Sequence, residues 1–189
     1  MEIRKFLDAL SVAERLKDVT RHSYTSGGRR ESVAEHSWRL ALMAYFVGDE
    51  FPDIDHEKLL KMCLIHDLGE AFTGDIPAFD KSAADELRES DLLGEWVATL
   101  PEPFATEMAA LYAEMNALTS TEAKIYEALD NMEALIQHNE ADLATWIPLE
   151  YELQMTYGTD KAAFSEYLTA LRDAVREDSV QKIEKGKTE

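Results

Sequence analysis

Three short fragments place metal-ligating side chains on or beside apolar helix faces: Val33-Ala34-Glu35-His36-Ser37, the run His66-Asp67-Leu68-Gly69-Glu70-Ala71-Phe72-Thr73-Gly74-Asp75, and Ala128-Leu129-Asp130-Asn131. Imidazole nitrogens and carboxylate oxygens suit divalent ions such as Zn, Co, Fe, Mn or Mg. A histidine on the apolar side of a helix needs a partner for its ring nitrogens, and both His36 and His66 are expected there. His66 and Asp67 project about 100° apart around a helix, so one ion engages both only above the gap between them, near a helix end. Asp130 lies inside a long expected helix beside the Leu129 face, away from any cap. Taken singly, each has a plainer reading. A core histidine is usually only hydrogen-bonded, a His-Asp dipeptide arises readily by chance in a chain with five histidines, and an aspartate on a helix is usually solvated.

The elements that must position these residues are helical by pattern. Ile3, Phe6, Leu7 and Leu10 fall at helical spacing over 3–16. Residues 18–30 read as irregular and polar. Ser32 with Glu35 reads as a capping box opening a helix to about 47, with His36, Leu40, Met43 and Val47 on one face. Asp55 can cap a third helix that carries Leu59, Cys63 and His66 on one face and leaves at Gly69. Residues 70–80 read as a loop, with Gly74 and Pro77 as breakers. Further helices are expected over about 81–98, 104–117, 121–138, 141–156 and 160–184, with Thr119 and Glu122 as a second capping box. No strand pair, repeat or low-complexity segment is read. The expectation is an all-α chain forming one domain over 1–189.

The 189 residues suffice for one domain with a real core. Their composition is 46% hydrophobic and 30% charged, with eight Gly and five Pro, a globular and helix-favouring mixture. The net charge of −19 argues against partners that are nucleic acid polymers or anionic membranes, which need clustered positive charge. A small anionic substrate is still allowed, because a metal and a few arginines reverse the potential inside a cleft. Cys63 is the sole cysteine, which excludes an intramolecular disulfide and fits a reducing cytoplasm. The opening MEIRKFLDAL does not read as a signal peptide, and no run is apolar enough for a membrane span.

The order of the fragments carries more than any one of them. His, then His-Asp, then Asp, each on a helix, resembles the HD superfamily of metal-dependent phosphohydrolases. The runs LKDVTRHSY, ESVAEHSWRLALMA, HDLGEAFTGDIP and EAKIYEALDNMEALIQ resemble its 5′-deoxynucleotidase branch and the eukaryotic HD-containing relatives. The resemblance covers about residues 4–140, and the stretch 141–184 is less diagnostic. It implies an HD-type helical bundle in which His36, His66, Asp67 and Asp130 hold one divalent ion. Such an ion lowers the pKa of water from about 15.7 toward about 7 and polarises a phosphoryl oxygen.

The resemblance also implies roles for other residues. Glu70 matches the acid that holds the attacking water, Asp75 the residue that contacts the sugar hydroxyl, and Arg21 an arginine that contacts phosphate. Glu114 corresponds, through a gapped alignment, to another acid near the pocket. Where bacterial relatives have tryptophan after that arginine, this chain has His22, which leaves selectivity for deoxyribose open. The implied substrate is a (deoxy)nucleoside 5′-monophosphate and the implied assembly a homodimer, for which Trp146, Ile147, Leu149, Tyr151 and Leu153 are a candidate contact. Guanosine tetraphosphate hydrolysis is disfavoured by Glu70-Ala71, where such enzymes carry a Glu-Asp pair. A non-catalytic helical module, or a bundle with structural histidines, would keep the fold without turnover.

Overall fold

The computed structural model describes residues 1–187; residues 188 and 189 of the expected domain lie outside the described residues. Helix α1 (Ile3–Glu14) leads through a 3-10 turn into β1 (Thr20–Tyr24), which pairs antiparallel with β2 (Arg30–Ser32). This hairpin corrects the reading of 18–30 as irregular. Gly28, at φ 82°, lets the chain reverse, and Thr25 N–H donates to Arg29 O (2.8 Å) across the turn. The strands escape pattern reading because β1 buries only Ser23 and shows no apolar alternation.

Helix α2 (Val33–Phe46) opens on the expected capping box: Glu35 N–H donates to Ser32 Oγ (3.3 Å) and Ser32 N–H to Glu35 Oε2 (2.9 Å). Asp55 caps α3 (His56–Ile65) through Lys58 N–H (3.0 Å). The segment expected as a loop begins with a single helical turn, α4 (Glu70–Thr73), because Gly69 and its neighbours keep helical dihedrals until Gly74 breaks them at φ 78°. Helices α5 (Ala83–Thr99), α6 (Phe104–Ala117) and α7 (Thr121–Glu140) follow near their expected ranges. The cap of α7 is Ser120, not Thr119, since Glu122 instead accepts from Asp55 N–H (2.9 Å) and meets Lys58 Nζ (3.2 Å).

The stretch expected as one helix over 141–156 is an extended and 3-10 link followed by α8 (Pro148–Thr156). Pro148 has no N–H and sits where a helix starts. The last expected helix is likewise divided into α9 (Thr159–Ala162) and α10 (Glu166–Gly186), with Ser165 capping the second through Leu168 N–H (3.3 Å).

Helix α7 runs through the middle of the molecule. Its Ile125, Ala128, Leu129 and Met132 pack with Leu40, Ala44 and Val47 of the α2 segment, with Leu59 and Cys63 of α3, and with Ala162 and Leu168. Met62 packs with Leu111, Met115 and Ala123 on the α6 side. Polar contacts dock the last helix: Arg172 donates to Tyr157 O and Gln154 O (both 2.8 Å), and Ser179 Oγ bonds with Asn139 Oδ1 (2.8 Å) and Gln154 Oε1 (2.9 Å). Among the described residues no helix is long and apolar enough to cross a membrane.

The junction before α9 presses directly on the helix that carries Asp130. Gly158 has φ 72°, and a Cβ there would stand 2.9 Å from Asn131 Cβ. Gly158→Ala is therefore expected to destabilise the protein by about 1–3 kcal/mol, lowering Tm by several degrees in a thermal melt. An unchanged Tm would show that the junction relaxes freely.

Candidate active site

His36 enters the core from α2 and His66 stands just past the end of α3. His36 is fully buried, and its Nδ1 is hydrogen-bonded to Glu133 Oε2 on α7. His66 Nδ1 lies 2.9 Å from Cys63 O, to which it donates. Tyr112 Oη donates to Ile65 O (2.6 Å) and so steadies the turn that presents His66 and Asp67. A histidine that donates through Nδ1 carries its lone pair on Nε2.

Those two Nε2 atoms face each other at 3.1 Å. Asp67 Oδ2 lies 2.9 Å from His66 Nε2 and 3.7 Å from His36 Nε2. Asp130 Oδ1 lies 2.9 Å from His36 Nε2 and 3.5 Å from His66 Nε2. Ligand atoms of His36, His66 and Asp67 all fall within 4.8 Å of one another. Four potential ligand atoms, two imidazole nitrogens and two carboxylate oxygens, thus converge on one point, the arrangement that a divalent cation satisfies.

The surrounding field agrees. Burial opposes charge on His36 and Arg21 repels it, yet Glu133 and Asp130 raise its pKa; His66 is raised well above the ordinary range by Asp67 and Asp130 despite burial. The same imidazoles hold Asp130 far below the ordinary carboxylate range, and Asp67 below it, against the cost of burial. A field this favourable to positive charge fits a metal ion.

A second buried grouping, Glu31, His36 and Glu133, also has metal-like spacing. It is already partnered: Arg39 Nε donates to Glu133 Oε1 (2.6 Å), Ser23 Oγ to Glu31 Oε2 (3.0 Å), and Arg21 Nε lies 3.4 Å from Glu31 Oε2. These residues serve the first cluster by holding His36 and Arg21 in place.

Arg21 reaches the cluster from β1, with Nη1 3.5 Å from Asp67 Oδ2. Burial disfavours its charge, but Asp67, Glu133, Asp130 and Asp75 outweigh that and keep it firmly protonated. Its backbone is pinned by Arg30 Nη1, which donates to Arg21 O (3.2 Å) and His22 O (3.1 Å). Gln137 Nε2 ties the same strand to α7 through Tyr24 O (2.6 Å).

Glu70, from α4, is buried, and its Oε2 has no hydrogen-bond partner. Burial, with Asp67 and Asp75 nearby, pushes its pKa up to about 10 against the pull of Arg21. Asp75 is also raised, by burial and by Asp67, with Arg21 opposing. Arg21, His22 and Asp75 line a cavity of about 260 Å³ with Phe79, Leu135, His138, Glu150, Leu153 and Tyr157. His66 opens instead on a broader groove of about 1190 Å³ lined by α5 and α6.

The structure brings together His36, His66, Asp67 and Asp130, with Arg21, Glu70, Asp75 and His22 around them. It does not bring Glu114 there. Glu114 lines neither space, and its carboxylate is held 2.8 Å from Lys58 Nζ on α3, a pairing that the gapped alignment could not reveal. Sequence reasoning passed over Glu133, Glu31 and Arg39. Glu133 left a signal, because it is a charge four residues after Leu129 on the apolar face of α7. Glu31 left none.

Comparison with known proteins agrees with this geometry. The family profile described as "HD domain" matches residues 13–172. The protein "5′-deoxynucleotidase HDDC2" of Homo sapiens is 31% identical over 141 residues, covering 72% of this chain and 68% of that protein. Its counterpart in Danio rerio is 33% identical over 138 residues, covering 71% and 68%. A solved structure from Magnetospirillum magnetotacticum, titled "Predicted metal-dependent phosphohydrolase", superposes with a TM-score of 0.83 at 27% identity, covering 95% of this chain and 93% of that one. The ligand order, the helical frame and these relatives lead to one assignment: the chain belongs to the HD-domain family of metal-dependent phosphohydrolases.

Proposed function

We propose that the protein is a 5′-nucleotidase that releases phosphate from deoxynucleoside 5′-monophosphates, using one divalent cation held by His36, His66, Asp67 and Asp130. The observation that carries this reading is the meeting of four potential ligand atoms with a buried, unpartnered Glu70 oxygen and the Arg21 guanidinium. The names of the human and zebrafish relatives support the substrate class.

A bound divalent cation supplies Lewis-acid polarisation of the phosphoryl group and lowers the pKa of a water molecule. Arg21 binds the phosphate through its forked donors. Glu70 orients the attacking water and accepts its proton. In the protein alone burial, with Asp67 and Asp75 nearby, favours protonated Glu70, and a cation held beside Asp67 would favour the ionised form that a base requires. Asp75, in the same cavity as Arg21, receives the sugar hydroxyl, with His22 against the same space. Glu133 acts as a positioning residue, keeping the His36 Nε2 lone pair turned toward the cluster.

The same reading takes the chain as one cytoplasmic domain that pairs into a homodimer. Of the C-terminal stretch, Trp146 is buried within the chain and stacks edge-on with His138 and Tyr151, while Leu149 and Tyr151 are exposed. A second and larger candidate is on α2, where Trp38, Leu42, Tyr45 and Phe46 form an exposed apolar stripe, the kind of patch that marks an interface.

His66→Ala or Asp67→Ala should lose tightly held metal, measured by elemental analysis after dialysis; full stoichiometry in both would overturn the ligand set. Glu70→Gln should keep metal and nucleotide binding while phosphate release falls by about 10²–10⁴-fold. Near-normal turnover would move the water to another acid. Glu133→Gln should keep the fold but weaken metal affinity by roughly 10- to 100-fold, read by chelator competition. Light scattering should give a dimer mass that drops to a monomer in the double variant Tyr45→Glu, Phe46→Glu; a monomeric parent protein would count against the pairing.

A further inference from the structure

The cavity beside Arg21 and Asp75 ends on a carboxylate that no role so far uses. Glu150, in the first turn of α8, is 2% exposed. Its Oε2 accepts from Ile147 N–H (2.7 Å), which fixes the carboxylate. Its Oε1 lies 3.0 Å from His22 Nε2 and 3.3 Å from His138 Nε2, yet neither approach is aligned as a hydrogen bond, so Oε1 has two imidazole neighbours and no hydrogen bond. A buried carboxylate oxygen with no donor is costly, and this one lines the cavity.

Arg21 and Asp75 stand on the same wall in the roles already given to them, with Ser23, His22 and His138 beside them, and the rest is largely apolar. Phe79, Leu135, Leu153 and Tyr157 present apolar and flat surfaces, with His22 edge-on to Phe79 at 5.7 Å between ring centres. Gln154 is also at the wall, but its amide is engaged by Ser179 Oγ (2.9 Å) and Leu135 O (3.4 Å). Burial lowers the pKa of His138 despite Glu150, which favours a neutral ring beside the carboxylate. At about 260 Å³ the space is slightly below the usual range of ligand pockets, about 300–1,000 Å³, and suits a small, flat group such as a planar heterocycle.

We propose that Glu150 Oε1 reads the base, accepting a hydrogen bond from an exocyclic amino group and so favouring amino-bearing nucleobases over thymine and uracil. This rests on the nucleotide reading of the site: with phosphate at Arg21, the remainder of the ligand extends into the cavity that Glu150 closes. Thymine and uracil carry no amino group, and their one ring N–H lies between two carbonyl oxygens that a carboxylate repels.

Binding of nucleosides, which needs no turnover, tests this on the metal-loaded full chain. By calorimetry, deoxyadenosine and deoxycytidine should bind about 10- to 100-fold more tightly than thymidine, the range for a hydrogen bond to a charged group. Purine 2′-deoxyriboside, which lacks only the amino group of deoxyadenosine, should lose a similar factor. In Glu150→Gln the amide oxygen must stay on Ile147 N–H, so its NH₂ faces the cavity and the preference should shift toward thymidine. Equal binding of deoxyadenosine and purine 2′-deoxyriboside overturns the proposal without recourse to any variant. So does an unchanged order of preference in a Glu150→Gln protein of near-normal Tm and metal content. Base preference without phosphate release from any monophosphate would leave this inference standing and remove the nucleotidase reading instead. Phosphate release with no base preference would do the reverse.

Discussion

Two imidazoles and two carboxylates must be brought to one point with their ligand atoms facing inward, and much of the fold serves to hold them there. Each histidine is turned by a partner on its outer nitrogen: Glu133 for His36 and the Cys63 carbonyl for His66. Glu133 is in turn held by Arg39. A buried carboxylate is tolerable only when paired in this way, so the Arg39–Glu133–His36 chain is one unit spanning α2 and α7. The apolar packing of α2 and α3 against α7 brings the three ligand-bearing segments together. The polar chain then sets the direction in which the ligands point.

Charge is distributed with the same logic. The chain as a whole carries −19, yet Arg21 is placed among Asp67, Asp75, Asp130 and Glu133, where its protonation is secure. The hairpin makes that placement possible. Its strands bury little, but Arg30 grips the carbonyls of Arg21 and His22 while Gln137 holds Tyr24 to α7. A surface hostile to anionic polymers therefore coexists with a cationic point inside the cleft.

The sequence was most legible where chemistry and periodicity coincide. His36 with Leu40 and Val47, and His66 with Leu59 and Cys63, combine a polar ring with an apolar stripe, so both the helices and the inward direction could be read. The Ser32–Glu35 box marked a true helix start for the same reason, because its partners are three residues apart. The hairpin was not legible, since β1 buries only Ser23 and shows no apolar alternation. Nor was the division of the last helices, where Pro148 and Ser165 start new helices within stretches of continuous helical composition. At the site, Glu133 was visible in principle as a charge on an apolar face. The position of Glu114 against Lys58 depends on how α6 meets α3, which local sequence does not encode.

The ligand cluster stands between two openings of different character. His66 borders the broad groove beside α5 and α6, while Arg21 and Asp75 border the smaller cavity closed by Glu150. The groove sets Glu86, Glu89, Glu102 and Glu127 against Lys81, whereas the cavity sets Arg21 against Asp75 and Glu150, so one space is largely acidic and the other is of mixed charge.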